Sequence, residues 1–171
     1  MNFDDIEVRV NEKYPKLLDV KEDKKTSAIL KNLISSRAGN LSCILRYAYQ
    51  SVIADKTNEE IGEIFEEIAV VKMTHMDMLM HAVSLCGGNP RFEDDKGNMF
   101  NAGYVFYSNK LKEMLEFNIQ NSIQTIQDYK NAISLIPNQS IKDLLNRLIQ
   151  DETMHKEVFN RILNSVHFLS V

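Results

Sequence analysis

The sequence predicts an all-α protein: a four-helix bundle with one long crossover between its second and third helices. Three observations predict it. Helix breakers are scarce, with three prolines and six glycines in 171 residues. Four segments carry the i, i+3, i+4, i+7 apolar spacing of amphipathic helices. Two of the three connections are tight, whereas the middle one, GGNPRFEDDKGNMFNAGYVFYSN, runs about 20 residues, a length uncommon inside a compact domain. Such a link is expected when the second and third helices are parallel and the chain must travel the length of the bundle, since twenty extended residues reach roughly 65 Å. A simple up-down bundle has only short loops.

Residues 1–24 read as an extended polar arm laid on the body, with one short alternating piece (Val8, Val10) and Tyr14-Pro15. The bundle occupies residues 25–171. Its first helix is predicted from about Thr26 to Asp55, with Leu33, Ile44, Tyr47 and Ser51 near one face and Leu41, Leu45 and Ala48 broadening the stripe. The second runs from about Asn58 to Cys86 on Ile61, Ile64, Phe65, Ile68, Leu79, Ala82 and Val83. Thr57 and Glu60 have capping-box spacing at its start, and Gly87-Gly88 with Pro90 just beyond ends it. The third runs from about Asn109 to Ile136 on Leu111, Leu115, Ile119, Ile126, Tyr129 and Ile133, and Pro137 stops it. The fourth runs from about Gln139 to Val166 on Ile141, Leu144, Leu145, Leu148, Ile149, Val158, Phe159, Ile162 and Leu163. At 1.5 Å per residue each is roughly 40 Å long. Phe92, Phe100, Tyr104, Phe106 and Tyr107 in the crossover are expected to pack against the bundle.

Composition excludes several classes. Net charge is −4, with acidic and basic residues mixed along the chain, so no basic block points to nucleic acid and no polybasic helix to a membrane surface. No apolar run approaches the roughly 18 residues of a membrane span. The first ten residues, MNFDDIEVRV, lack the apolar core of a signal peptide, which predicts a cytoplasmic protein. Cys43 and Cys86 form no Cys-x-x-Cys pair, against a zinc knuckle or a disulfide framework.

Polar residues interrupt the apolar stripes at one level. The second stripe passes from Ile68 through Lys72 and His75 to Leu79, and the fourth from Leu148/Ile149 through Glu152 and His155 to Val158/Phe159. Ser122 falls between Ile119 and Ile126 in the third, and Asn40 between Leu33 and Ile44 in the first. A lone inward histidine is ordinarily a satisfied core residue. An inward Lys and an inward Glu are rarer, because an unpaired buried charge costs several kcal/mol. Convergence of Lys, Glu and two His at matching depth therefore marks a polar cluster.

These segments resemble the ferritin-like superfamily, specifically its rubrerythrin and manganese-catalase-like branch. AGNLSCILRYAYQS (Ala38–Ser51), IGEIFEEIAVVKMTHMDMLMHAVSLCGGNPRF (Ile61–Phe92), FNIQNSIQTIQDYKNAI (Phe117–Ile133) and LIQDETMHKEVFNRIL (Leu148–Leu163) resemble its four helical motifs, and no four-cysteine rubredoxin segment accompanies them. The resemblance implies four carboxylates and two histidines around two metal ions. Such sites support iron oxidation, peroxide reduction or peroxide disproportionation. Here His75, Glu152 and His155 stand as implied, while Asn40, Lys72 and Ser122 replace glutamates.

Four carboxylates balance two divalent ions, whereas Lys72 and Glu152 balance each other with the site empty. The resemblance places these two at the positions whose carboxylates usually bridge the metals. An internal Lys72–Glu152 ion pair is therefore expected in place of the di-metal centre, with His75, His155, Asn40 and Ser122 supplying the remaining hydrogen bonds. No cofactor is expected, and the protein reads as a non-catalytic structural or interaction protein. The alternative is a metal-dependent oxidoreductase acting on peroxide or dioxygen through one iron or manganese ion at residual ligands His75, Glu152 and His155. Lys72 opposes that: a divalent cation about 5 Å from an ammonium, at an effective dielectric near 20, is repelled by roughly 6–7 kcal/mol. Schiff-base chemistry at a desolvated Lys72 lacks an evident opening for substrate. Cys43, Tyr47 and Tyr129 are expected to line the cluster as packing residues. The dense methionines Met73, Met76, Met78 and Met80 cannot share one helix face, and some are expected at a subunit interface. Relatives commonly pair through helix faces, so a homodimer is implied.

Overall fold

The computed structural model describes residues 6–168, with side chains as far as Ser165; residues 1–5 of the expected arm and 169–171 of the expected bundle lie outside the described residues. The helices are α1 (Lys24–Ser35), α2 (Asn40–Ala54), α3 (Glu59–Leu85), α4 (Leu111–Leu135) and α5 (Gln139–Phe168), with a short 3₁₀ turn at Ala102–Tyr104 in the crossover. The architecture is all-α, four helical positions around one core, the first shared by α1 and α2. Among the described residues, extended pairing is confined to an isolated bridge between Glu93 and Met99.

That shared position corrects the expectation of one continuous helix from Thr26 to Asp55. The chain breaks at residues 36–39 because Gly39 is extended and lies against the Ile34 backbone, where a Cβ would come within 2.6 Å of the carbonyl oxygen. The carbonyls a break orphans need new donors. Asn40 Nδ2 donates to the Leu33 carbonyl at 2.9 Å, and Ser42 Oγ to that of Ser36 at 3.1 Å. Helix α1 starts two residues earlier than the periodicity implies, because the Asp23 carboxylate caps it by accepting from the Lys25 and Thr26 N–H groups. The cap of α3 is likewise Asn58, not Thr57: Asn58 is the extended residue, and its side chain accepts from the Ile61 N–H at 3.1 Å. At the other end Gly87 takes φ +76°, a left-handed turn that stops α3.

Cross-helix contacts fix the directions. Asn40, Arg46 and Gln50 of α2 meet Tyr129, Asn118/Asn121 and Asn118 of α4, so α2 and α4 are antiparallel. Phe65 of α3 packs on Phe159 of α5 while Lys72 meets Glu152, so those two are antiparallel as well. Tight turns join α2 to α3 and α4 to α5. It follows that α3 and α4 are parallel and the crossover spans the bundle. Phe106 stacks on Phe117 at 4.1 Å and Tyr107 packs edge-on to Tyr49, fastening the crossover as expected, whereas Phe92 and Tyr107 keep large exposed surfaces.

The arm runs antiparallel along α5. Val8, Val10, Glu12 and Leu18 bond successively to His155, Asp151, Arg147 and Ser140. The core divides into two apolar clusters. One contains Tyr47, Phe65, Ile68, Leu115 and Phe159. The other contains Leu30, Leu79, Tyr129, Leu144 and Leu148. The polar layer lies between them.

Candidate functional site

Lys72 and Glu152 meet in that layer. Lys72 Nζ donates to Glu152 Oε1, and both side chains are sealed from solvent. Desolvation works against the Lys72 ammonium, but the Glu152 charge beside it prevails and holds its pKa above the ordinary lysine value. Desolvation likewise works against the Glu152 carboxylate. The Lys72 ammonium overcomes it and keeps the group well below the usual carboxylate range. The pair is charged on both sides at neutral pH.

His75 and His155 flank it, their ring centroids 6.4 Å apart. The outer nitrogens are committed. His155 Nε2 lies 2.7 Å from the Val8 carbonyl, which can only accept, so Nε2 carries the hydrogen. His75 Nε2 lies 2.9 Å from Asp151 Oδ2 and donates to it. In the neutral rings each Nδ1 is then a lone pair. His75 Nδ1 stands 3.6 Å from Glu152 Oε1 and His155 Nδ1 3.9 Å from Oε2, and neither has a hydrogen-bond partner among the described residues.

Asp151 holds this arrangement from behind and was not singled out in the sequence. Its carboxylate accepts from the Val10 N–H at 2.9 Å, Arg147 Nη1 at 2.7 Å, the Tyr14 hydroxyl at 2.8 Å and His75. Burial pushes the Asp151 pKa up, but these donors outweigh it and hold the group far below the ordinary value. Tyr14, half-buried over Arg147, is raised by burial and by the Asp151 charge and stays a neutral donor. The signal for Asp151 was present: Leu144, Leu148, Asp151 and His155 recur at the 4-3-4 spacing of one inward face, and Arg147 lies one turn before it. Tyr14 carried none, because its contact spans 137 residues of chain.

The remaining expected residues divide into separate groups. Asn40 and Tyr129 bond each other at 3.0 Å, and Asn40 also holds the α1 carbonyl at the break. Ser122 is fully buried and its hydroxyl has no hydrogen-bond partner among the described residues. Asn40 is engaged by the Leu33 carbonyl of α1 and by Tyr129 of α4, and Ser122 has no partner among the described residues, so neither bonds to the Lys72–Glu152 pair, contrary to expectation. Tyr47 stacks with Phe65 and Phe159 in an aromatic triangle at one end of the layer. Cys43 Sγ faces Arg46 and Asn121, at 3.5 and 3.4 Å. Arg46, also missed, is fully buried with no carboxylate partner among the described residues. Asn118, Asn121 and the faces of Tyr47 and Phe117 hold its guanidinium.

These donors do not fit two metal ions. Three of the implied carboxylates are an amide, an ammonium and a hydroxyl, and the surviving Glu152 is engaged by the ammonium. Among the described residues, no group of three or more His, Cys, Asp and Glu is arranged to hold a metal ion. The shell that orients metal-bound imidazoles is nonetheless complete, with a carboxylate on the outer nitrogen of one ring and a carbonyl on the other.

In three dimensions the chain is similar to the manganese catalase KatB from Anabaena, with TM-score 0.84 at 22% identity, over 93% of this chain and 80% of that one. It is similar also to Desulfovibrio desulfuricans bacterioferritin, which has a diiron site, with TM-score 0.74 at 20% identity, over 85% and 81% of the two chains. At such identities the likeness establishes the fold, a ferritin-like bundle. None of the curated proteins matches the chain in sequence. The sequence pattern of the Rubrerythrin family matches residues 31–163, most of the chain and all of α2 through the two histidines to the last turns of α5, and the chain belongs to that family.

Proposed function

We propose that this rubrerythrin-family protein is a non-catalytic scaffold in which the Lys72–Glu152 ion pair stands in place of the di-metal centre. One observation carries the proposal: the ammonium of Lys72 engages the one surviving carboxylate of the implied set, with both groups buried. A divalent ion brought there would face that ammonium at close range, a repulsion of several kcal/mol. The protein serves as a structural or interaction partner in the cytoplasm. No helix of the described residues is long and apolar enough to cross a membrane.

A second reading draws on the two unpartnered Nδ1 lone pairs beside Glu152. With Lys72 turned aside, His75, Glu152 and His155 would offer two imidazoles and a carboxylate to one iron or manganese ion. The protein would then be an oxidoreductase acting on peroxide or dioxygen. One experiment separates the readings: elemental analysis of protein purified without chelators, then anaerobic titration with Fe(II) and Mn(II). No stoichiometric metal is the expected result. A bound equivalent accompanied by oxygen- or peroxide-dependent turnover would establish the second reading.

A further inference from the structure

The arm covers the outer edge of the polar layer. Its Val8 carbonyl accepts from His155 Nε2, and its Tyr14 ring packs edge-on to His75 with the centroids 6.0 Å apart. Both imidazoles are fully buried beneath it. Open clefts flank the arm on its two sides. One, of about 450 Å³, lies against Val70 and Val71 of α3, and the other, of about 400 Å³, against Met154 and Val158 of α5. Ile6 and Glu7 line both clefts, so this stretch of arm is the wall between them.

Main-chain bonds hold the arm there. Asp151 accepts from the Val10 N–H, Arg147 Nη2 donates to the Val10 carbonyl at 2.7 Å, and Arg147 Nε donates to the Glu12 carbonyl at 3.1 Å. The two elements match in repeat. Residues 147, 151 and 155 recur at roughly 6 Å along a helix, and residues 12, 10 and 8 at roughly 6.6 Å along an extended chain. Apolar burial adds little. Val8 is the one buried residue between positions 6 and 20, and the odd-numbered neighbours Glu7, Arg9 and Asn11 face solvent. The far end is anchored separately. Asn138 and Ser140 donate to the Leu18 carbonyl, Leu17 and Val20 pack on the second apolar cluster, and the Asp23 N–H donates to the Cys86 carbonyl. A segment with few buried apolar contacts, pinned at one end, opens at lower free energy than the helices it lies on.

We propose that residues 8–14 form a strap that lifts as a unit while the five helices stay folded, joining the two clefts and opening the His75 and His155 edge of the polar layer to water and small solutes. The bonds that break are those to His155, Asp151 and Arg147, and none belongs to a helix ladder. The Lys72–Glu152 pair lies behind the two rings, so the strap controls when solvent reaches it. The inference does not depend on the function proposed above, since the strap covers the imidazoles whatever they hold.

Native-state hydrogen exchange of the full wild-type chain at stepped, sub-denaturing urea tests the opening. The Val10 amide is expected to exchange through a local opening with little urea dependence, whereas the Ile68 amide in α3 exchanges with the steep dependence of global unfolding. Access to the rings is read by carbethoxylation with diethyl pyrocarbonate, mapped by mass spectrometry. Val8→Asp puts a charge into the strap's apolar seat. It should raise the modification rate at His155 and His75 roughly tenfold or more relative to His81, which is exposed on α3, with the helical circular dichroism unchanged. A Val10 amide whose exchange tracks that of Ile68 in urea would overturn the inference, and this result needs no variant to fold. Imidazoles that stay unreactive in folded Val8→Asp protein would overturn it as well.

Discussion

Replacing Lys72 with methionine preserves much of the side chain's length and removes its charge. The Glu152 carboxylate then keeps only two imidazole nitrogens, at 3.6 and 3.9 Å, neither bringing a hydrogen in the neutral ring. A buried charge stranded in this way costs about 3–5 kcal/mol. In a chain of this size each kcal/mol lowers Tm by about 2–4 °C, so the melt should fall by roughly 6–20 °C. The pH dependence gives a sharper readout. In the wild type the folded-state pKa of Glu152 is lowered, so its contribution is fully present above the unfolded carboxylate value near 4.3 and is lost as pH falls through the depressed one. That of Lys72 is raised, so its contribution is fully present below the free-lysine value near 10.4 and is lost as pH rises through the raised one. Between these limits wild-type stability is insensitive to the pair. In the variant the sign at Glu152 reverses. Burial without the ammonium raises its pKa, the folded state retains a proton the unfolded state releases, and stability falls as pH climbs past about 4.3. The deficit should be largest at neutral pH and shrink toward acid. Urea denaturation followed by circular dichroism at stepped pH measures it. Adding Glu152→Gln should recover much of the loss. A Lys72→Met melt within about 2 °C of wild type, or a deficit indifferent to pH, would refute the reasoning.

Asp151→Asn should destabilise by about 3–5 kcal/mol, because Arg147 loses its buried partner, and should release the arm. Hydrogen exchange at Val10 and limited proteolysis near Tyr14 would report the release. Tyr14→Phe removes one donor to the same carboxylate and should cost about 1.5–3 kcal/mol in urea denaturation. Gly39→Ala should destabilise by about 1–3 kcal/mol, since its Cβ would press on the Ile34 carbonyl, and a variant as stable as wild type would show that the α1–α2 break yields easily. The triple variant Asn40→Glu/Lys72→Glu/Ser122→Glu should gain stoichiometric Fe(II) or Mn(II) in anaerobic titration. A folded triple variant that binds none would show that more than ligand identity has changed.

The bundle was legible because its signals are local and periodic: long apolar stripes, few breakers and one long link. The depth of Lys72, His75, Glu152 and His155 followed from the same periodicity, which is why four residues from two helices could be placed at one level. The break at residues 36–39 was not legible, because the apolar stripe continues across it in sequence and only the close approach of Gly39 to Ile34 interrupts the helix. The capping residue of α3 was misplaced by one position because Thr57 and Asn58 are both good caps, and only backbone conformation decides between them. Asp151 and Arg147 escaped notice because the acid beside them, Glu152, matched a known motif. Tyr14 and the Val8 carbonyl could not have been found, since their role is set by where a distant segment comes to rest.

That segment lies at the opposite end of the chain from its partners: the Val8 carbonyl meets His155 across 147 residues, and the Val10 N–H meets Asp151 across 141. During synthesis the arm leaves the ribosome well before the helix it pairs with. Until that helix follows, neither imidazole has its outer nitrogen engaged and Asp151 does not yet exist to bind. Closing so long a loop is entropically unfavourable and slow to find, which places this step late in folding. Completion of the polar layer thus waits until α5 is in place beside the arm.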